Sequence, residues 1–449
     1  MKKRAFAVLT IVALVSVLVA GCATPAPAPE PTTPPPAEAT ATTAPPPAEG
    51  TATSAPATPP AGPATTYKIG FFSSITGAAA NVGVPERNTA EMVAAQLAEA
   101  GGVTGPDGVV HPVEIILYDD ESNPEISAAM ATKLIEEDQV DAIVGGSGPD
   151  QSVAVVPLAQ EAGIPYISMD PARPIIIDPV TRLPYYWTFS TAPENGHAGL
   201  VQGLYGELTG VIEACELYSN DANGKDSLAV TTGALLQKGI LVTYSAAFEP
   251  TDTTFPQMAD VVASGCNALF IGAVPPAAAL VTVAARQAAP DLPIILGQGV
   301  CNAEFLSEAG AAAEGTVFTC GKLLVADQLL DTDASKELLA KYIADYTEFT
   351  GGEPLNEFGG FTYDALRMVM EAMGSLESGL DLPARRAAIR DYIGNDITNW
   401  AGTAGSFYIT RHDHVGLAYT DLFWVRVENG AFKLFPTPEW GMPYVARGH

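Results

Sequence analysis

Tyr67-Lys-Ile-Gly-Phe-Phe72 and Val113-Glu-Ile-Ile-Leu-Tyr118 are the stretches that decide the fold of this 449-residue chain. Each is an apolar run of strand length, and the amphipathic pattern between them predicts a helix from about Val84 to Ala100. Gly101-Gly102 ends that helix. Because a strand, a crossover helix and a second strand form a parallel pair, the stretch predicts a parallel α/β sheet.

The same alternation continues towards the carboxyl terminus and completes one doubly wound sheet. Helices are predicted at Pro124–Glu137 and Asp150–Ala162. Further strands are predicted at Ala142–Gly146, Pro165–Met169 and Tyr186–Ser190. Five strands linked by helices indicate a mainly parallel sheet with helices on both faces.

The pattern then restarts, which predicts a second lobe. Its predicted strands are Glu216–Ser219, Leu241–Ala246, Ala268–Gly272, Ile294–Leu296 and Thr316–Thr319. The helices predicted from here on are Phe255–Ala263, Pro276–Ala288, Ala334–Thr350 and Tyr363–Ser375. A final hairpin is predicted from Phe423–Val427 and Phe432–Phe435, because Asn429-Gly430 between them is a strong two-residue turn signal.

The predicted architecture is therefore an α/β clamshell of two lobes, each a doubly wound, mainly parallel sheet. We expect lobe 1 to comprise residues 67–191 and 325–415, and lobe 2 to comprise residues 192–324 and 416–436. Residues 437–449 are expected to form a C-terminal tail. Ligands of such folds bind beyond the carboxyl ends of the strands, so the cleft between the lobes is the expected site.

The first 66 residues predict export and a tether. A basic start and an uncharged run, Ala5–Ala20, form the pattern of a signal peptide over residues 1–21. Val19-Ala20-Gly21-Cys22 resembles the lipobox of bacterial lipoproteins, which implies cleavage before Cys22 and lipidation of that residue. The alternative is an ordinary secretory signal with an incidental cysteine. Residues 22–66 consist mainly of Pro, Ala and Thr and predict a disordered tether.

Charge and motifs narrow the class of function. The formal net charge of −29 argues against binding to nucleic acid or to an anionic lipid surface. No G-x-G-x-x-G follows the first strand of either lobe, and no G-K-[ST] or G-x-S-x-G motif is present. We therefore expect no enzyme activity, no cofactor and no metal site.

The cysteines fit an oxidising compartment. With Cys22 lipidated, four remain, an even number. Cys215 and Cys266 each lie at the start of a predicted strand, so neighbouring parallel strands would bring them together, while Cys301 and Cys320 bracket a short segment. The favoured pairing is 215–266 and 301–320, and the alternative is buried free thiols.

Several short motifs, in order, resemble one known family. They are Ile69-Gly70, Thr76–Gly83, Gly101-Gly102, Tyr118–Asp120 with Pro124, Gly145–Gly148, Pro157–Pro165, Tyr363–Ala365 and Asp413–Leu417. Together they are similar to the branched-chain amino acid (Leu/Ile/Val) type of periplasmic binding protein, type I, the solute receptors of ABC importers. The resemblance covers nearly all of residues 67–435.

The resemblance implies a monomer that captures a small polar organic ligand and delivers it to an ABC permease with its ATPase. The ligand class would be an amino acid or a related amide or carboxylate. The protein would lie outside the cytoplasm, in the periplasm or at the cell surface, held to the membrane by its lipid. The alternative is a receptor domain that presents its ligand-bound form to a membrane kinase or chemoreceptor.

The resemblance also implies a set of pocket positions. In lobe 1 they are Val82, Ser147, Gly148, Pro149, Asp170 and Ala172, and in lobe 2 they are Asn223, Val274 and Gln298. Pro149 and Ala172 stand where the family usually has Ser and Thr, Asn223 and Val274 stand at aromatic positions, and Gln298 replaces the acid that pairs with a ligand ammonium.

Five acidic or polar residues have alternative explanations. An ammonium group in a dry cleft needs an acceptor, which Asp170 or Glu194 could supply. Glu194 and Asn195 follow the first crossover between the lobes, where they would contact ligand or only cap the next helix. Asp170 would contact ligand or cap the following turn, and Ser147 with Asp150 would bind ligand, cap a helix, or do both.

Overall fold

A computed structural model of the protein describes residues 64–170 and 172–434, all within one compact unit. The signal peptide, Cys22, most of the tether and the C-terminal tail lie outside these residues, so the predictions about them are untested. Within the described ranges, no helix combines the length and apolar character that a membrane span requires.

The structure is a mixed α/β fold. Its strands, in chain order, are β1 (Tyr67–Ser73), β2 (Val103–Thr104), β3 (Val110–His111), β4 (Val113–Asp119), β5 (Ala142–Gly145), β6 (Tyr166–Ser168), β7 (Thr188–Ser190), β8 (Glu213–Ser219), β9 (Leu241–Phe248), β10 (Ala268–Gly272), β11 (Ile294–Leu296), β12 (Val317–Cys320), β13 (Thr398–Ala401), β14 (Ser406–Tyr408), β15 (Phe423–Glu428) and β16 (Ala431–Leu434).

Its α-helices, in chain order, are α1 (Ala80–Ala100), α2 (Pro124–Glu136), α3 (Pro149–Ala162), α4 (Asn195–Thr209), α5 (Ala222–Gln237), α6 (Met258–Ser264), α7 (Ala277–Ala288), α8 (Ala303–Ala309), α9 (Lys336–Thr350), α10 (Glu357–Gly374) and α11 (Leu382–Asp396).

Lobe 1 is built on a five-stranded parallel sheet in the order β4-β1-β5-β6-β7. Its core is apolar on both faces, as strands covered by helices require. Helices α1 and α10 pack against each other beside the sheet, and residues of α9 and α11 join the same buried cluster. Helices α9, α10 and α11 therefore pack with the first lobe, although the sequence predicted only the first two of them as helices.

Lobe 2 is built on a seven-stranded sheet in the order β16-β15-β12-β11-β10-β8-β9. The five strands β8–β12 run parallel, and the hairpin β15–β16 adds antiparallel to β12. Asn429 and Gly430, at the turn of that hairpin, both have positive φ, as a tight two-residue turn requires. The two-lobed α/β fold predicted from the sequence is confirmed, whereas the residue boundaries of the lobes stay a prediction.

Several predicted boundaries were wrong, among them the start of α10, which is Glu357 and not Tyr363, and the start of β8, which is Glu213 and not Glu216. Two further differences have a physical reason. Helix α1 begins at Ala80 and contains Pro85, which has no N–H to donate to the Asn81 carbonyl. Asn356 Nδ2 donates to that carbonyl instead, at 3.2 Å. Strand β7 begins only at Thr188, because the side chains of Tyr186 and Trp187 lie against the guanidinium of Arg390, with ring centres 4.0 and 4.6 Å away.

Candidate ligand-binding cleft

Polar groups gather where the parallel strands of lobe 1 end. The loop after β5 contains Ser147 and Gly148, and α3 begins directly after it with Pro149 as its first residue. Gly148 caps this helix with extended backbone and no side chain, so the first amides of α3 have no side-chain acceptor. The N-terminus of a helix attracts anions, which makes this loop suited to a ligand carboxylate.

Ser147 is held between two neighbours at this edge. Its Oγ accepts a hydrogen bond from the Ser74 amide at 2.8 Å and lies 2.5 Å from Glu86 Oε2. Only 5% of Ser147 is exposed. Ser147 does not cap α3, so the capping-box alternative is wrong for its side chain.

Glu86 is a fully buried acid on α1. Its Oε1 has no hydrogen-bond partner among the described residues. Burial raises the pKa of Glu86 well above its ordinary value, the hydrogen bond with Ser147 lowers it, and the nearby acids Asp120 and Asp170 raise it further. The acid is therefore stabilised in its neutral form.

Asp170 follows β6 and is 5% exposed. Its Oδ1 accepts the Ala172 amide at 2.8 Å, so it does cap the following turn. Burial raises the pKa of Asp170 to about 7, and the acids Asp226 and Asp150 raise it as well. Among the described residues, no donor is hydrogen-bonded to Oδ2, which leaves this oxygen available to a ligand.

Lobe 2 contributes Gln298, in the short turn after β11. Its Nε2 donates to the Pro193 carbonyl at 2.7 Å and lies 3.5 Å from Asn195 Oδ1. Asn195 Nδ2 in turn donates to Asp226 Oδ2 at 2.8 Å. The Oε1 of Gln298 is buried and has no partner in the described part of the chain. Gln298 and Asn195 are thus brought together at the crossover between the lobes.

The remaining predicted positions are placed as follows. Glu194 precedes α4 without capping it, and burial raises its pKa while His197 and Arg173 lower it. Val82 and Ala172 are buried. Asn223, in the first turn of α5, and Val274, after β10, are half-buried.

Contacts join the two lobes directly. Asn81 Nδ2, on α1, donates to Glu304 Oε2, on α8, at 2.8 Å. Asn302 and Asn356 form an antiparallel bridge, and α3 of lobe 1 touches α5 of lobe 2. The lobes therefore contact each other through α1 with α8, through this bridge, and through α3 with α5. Sequence reasoning missed these partners, because they depend on how one lobe is placed against the other.

Disulfides join Cys215 to Cys266 and Cys301 to Cys320, the pairing that the sequence favoured. The first lies between β8 and the start of β10, strands that are parallel neighbours. The second joins the segment directly after Gln298–Val300 to the end of β12. This second disulfide therefore fixes the turn that carries Gln298.

A polar cavity lies in lobe 2 between α4, α5 and the carboxyl-terminal halves of β8 and β10. Glu216, in the middle of β8, is 3% exposed, and burial raises its pKa to about 7. Its Oε2 accepts from Thr232 Oγ1 at 2.6 Å, and Oε1 has no partner among the described residues. Gln202 and Thr231 line the same cavity. No group of three metal-ligating side chains converges anywhere in residues 64–170 and 172–434.

Comparison with known proteins agrees with the fold. A family model described as "Periplasmic binding protein" matches residues 66–431. The leucine-, isoleucine-, valine-, threonine- and alanine-binding protein of Pseudomonas aeruginosa is 26% identical over 258 residues, which are 57% of this chain and 66% of that relative. The chain thus spans just under two thirds of that relative's length.

Solved structures give the same result. An extracellular ligand-binding receptor from Rhodopseudomonas palustris HaA2 is 26% identical, with a TM-score of 0.74 over 82% of this chain and 99% of that one. The substrate-binding protein LivJ of Streptococcus pneumoniae, solved with isoleucine, shares the fold at 20% identity, with a TM-score of 0.66 over 83% of this chain and 99% of that one.

Proposed function

Because the chain belongs to the periplasmic binding protein family, we propose that it is the solute receptor of an ABC importer for an aliphatic α-amino acid. The ligand is held between the lobes, and the closed form delivers it to the permease and ATPase. The protein catalyses no reaction, since its role is to bind and release. Closure is driven by the contacts that the ligand makes with both lobes at once.

The unpaired donors and acceptors at the strand ends support a zwitterionic ligand. The helix start at Gly148-Pro149 suits a carboxylate, while Asp170 Oδ2 and Gln298 Oε1 are acceptors without donors in the described structure. An ammonium group supplies three N–H donors and a positive charge, so it suits two such acceptors. A buried acceptor that stays unpaired costs about 1–3 kcal/mol, which a bound ammonium removes.

The proposal extends to the location of the protein. Val19-Ala20-Gly21-Cys22 supports lipidation at Cys22, and the Pro/Ala/Thr-rich residues after it support a tether. A tethered receptor remains near its permease while the ligand-binding lobes stay outside the membrane. We propose a lipid-anchored protein in the periplasm or at the cell surface that acts as a monomer.

The proposed ligand class is tested by titrating the purified protein, without residues 1–21, with L-leucine, L-isoleucine, L-valine and L-alanine. The matched controls are L-leucinamide, which lacks the carboxylate, and 4-methylpentanoate, which lacks the ammonium. We expect calorimetric binding and a raised melting temperature for at least one amino acid, and much weaker binding for both controls. Equal binding of a control and its parent amino acid would contradict the zwitterion.

Asp170→Asn separates the ligand role of Asp170 from its role as a turn cap. The amide oxygen still accepts from the Ala172 N–H, so the melting temperature of the ligand-free protein should change little. We expect about ten- to hundredfold weaker amino-acid binding at pH 8, where the wild-type carboxyl is ionised. The loss should shrink below pH 6, because the wild-type pKa is about 7.

An unchanged affinity of Asp170→Asn at pH 8 would remove Asp170 from the site. Glu161→Gln is the matched control, since Glu161 is an exposed acid in the last turn of α3, at the opposite end from Gly148. Its substitution should alter binding only slightly.

A further inference from the structure

Whether the Ser147 hydroxyl can donate to a ligand carboxylate depends on the protonation of Glu86. A hydroxyl oxygen has one proton to donate and two lone pairs. The Ser74 amide uses one lone pair of Ser147 Oγ at 2.8 Å, and Glu86 Oε2 lies 2.5 Å away. If Glu86 is ionised, it is an acceptor only, so the single proton of Ser147 must point at Glu86 and away from the cleft.

If Glu86 is neutral, its own O–H donates to the second lone pair of Ser147 Oγ. The Ser147 proton is then free, and it can turn towards a carboxylate bound at the start of α3. We propose that Glu86 is a positioning residue, which in its neutral form orients the Ser147 hydroxyl as a donor to the ligand carboxylate. This inference rests on the proposed amino-acid-binding function.

The surroundings of Glu86 favour the neutral form. The residue is fully buried, and the charged groups that act on it are Asp120, after β4, and Asp170, after β6, both of them acids. Helix α9 contacts α1 through two tyrosines: Tyr342 is hydrogen-bonded to Thr89, and Tyr346 accepts from Asn88. Two neighbouring acids and burial raise the pKa of Glu86 well above its ordinary value.

Glu86→Gln tests the inference, because its amide N–H donates to Ser147 at every pH. With L-leucine as the probe, affinities of wild type and variant are compared from about pH 5 to about pH 9, a range where an ordinary glutamate is ionised. Asp170 also titrates in this range and interacts with Glu86, so the comparison is repeated with both proteins carrying Asp170→Asn, where the ratio of the two dissociation constants isolates Glu86. We expect equal affinities at the acidic end and about ten- to hundredfold tighter binding by the variant once wild-type Glu86 ionises.

Ser147→Ala provides the second arm and does not depend on the folding of Glu86→Gln. It should weaken L-leucine binding at acidic pH and have no effect where Glu86 is ionised, since Ser147 then has no proton to offer. Glu357→Gln is the matched control: Glu357 is also a buried glutamate with a pKa of about 7, but its Oε2 accepts from the Gly321 amide and not from Ser147. A wild-type to Glu86→Gln ratio that stays constant while L-leucine binds would overturn the inference and leave the proposed function intact.

The third arm needs no ligand. The infrared difference spectrum of ligand-free wild type minus Glu86→Gln at neutral pH should contain the C=O band of one protonated carboxylic acid, because the bands of Asp170, Glu216 and Glu357 are common to both proteins. If none of the amino acids binds, the proposed function fails, and this band alone then decides the protonation of Glu86. Its absence at neutral pH would contradict the neutral acid on which the inference depends.

Discussion

Replacing Cys215 and Cys266 together by alanine should lower the free energy of unfolding by about 4 kcal/mol, the largest effect that we expect from one disulfide here. The bond closes a loop between residues 51 positions apart, and the cost follows from the entropy that a loop of this size removes from the unfolded chain. The shorter loop of Cys301 and Cys320, 19 positions, predicts about 3 kcal/mol.

The measurement is urea unfolding of each alanine pair beside wild type, with the midpoint and slope followed separately. A larger slope is expected for both variants, because the unfolded chain exposes more surface without its crosslink. Only the 301–320 variant should also weaken ligand binding, since that bond fixes the turn of Gln298. If the 215–266 variant lost ligand binding under conditions where it is fully folded, the assignment of this effect to the 301–320 disulfide alone would be wrong.

The strands of the two main sheets were predictable because most are short apolar runs bounded by polar or glycine residues, whereas the small hairpins β2–β3 and β13–β14 were not predicted. Buried parallel strands need no alternation, and β5 and β10 carry almost none. The approximate location of the ligand site was also predictable, because the carboxyl ends of parallel strands meet at one edge of a sheet. The hydrogen bonds between the lobes could not be predicted, such as the one from Asn81 to Glu304, because these residues are 223 positions apart in the sequence.

Helix α11 was missed because much of its buried face is made of arginine. Arg386 is buried and donates twice to the Val140 carbonyl, and Arg385 bonds Asp141 Oδ1 at 2.7 Å. Arginine buries its stem while its head finds acceptors, so a charged stripe can line a core. A pattern of apolar residues alone cannot predict such a helix.

Glu86 did have a signal in the sequence. Val82, Ala90 and Val93 form the buried face of α1, and Glu86 falls at the same helical spacing, four residues from both Val82 and Ala90. A lone acid on an apolar stripe needs a partner or a raised pKa. Glu216 is likewise an acid within an apolar element. The predicted strand begins at Glu216, whereas β8 begins at Glu213, so Glu216 lies in the middle of the strand.

Because Glu216 and Glu357 are buried acids, we also expect the stability of the protein to fall as the pH rises. Burial raises the pKa of Glu216 and of Glu357 from 4.5 to about 7 in the folded protein. Between these values the folded state holds a proton that the unfolded state has released, so the free energy of unfolding is highest below the unfolded pKa and declines up to about pH 7. Each group should contribute about 3 kcal/mol to that decline.

Glu216→Gln and Glu357→Gln should each remove one such contribution, and the double variant should remove both, because the two residues lie in different parts of the fold. The measurement is the free energy of unfolding of ligand-free protein by urea at intervals from about pH 4 to about pH 8, which spans both states of each group. Glu136→Gln, at an exposed position at the end of α2, is the matched control and should follow wild type.

Parallel curves for wild type and both buried variants would mean that these carboxyls ionise in the folded protein as they do in the unfolded chain. In that event the cavity around Glu216 must supply donors that stabilise the anion.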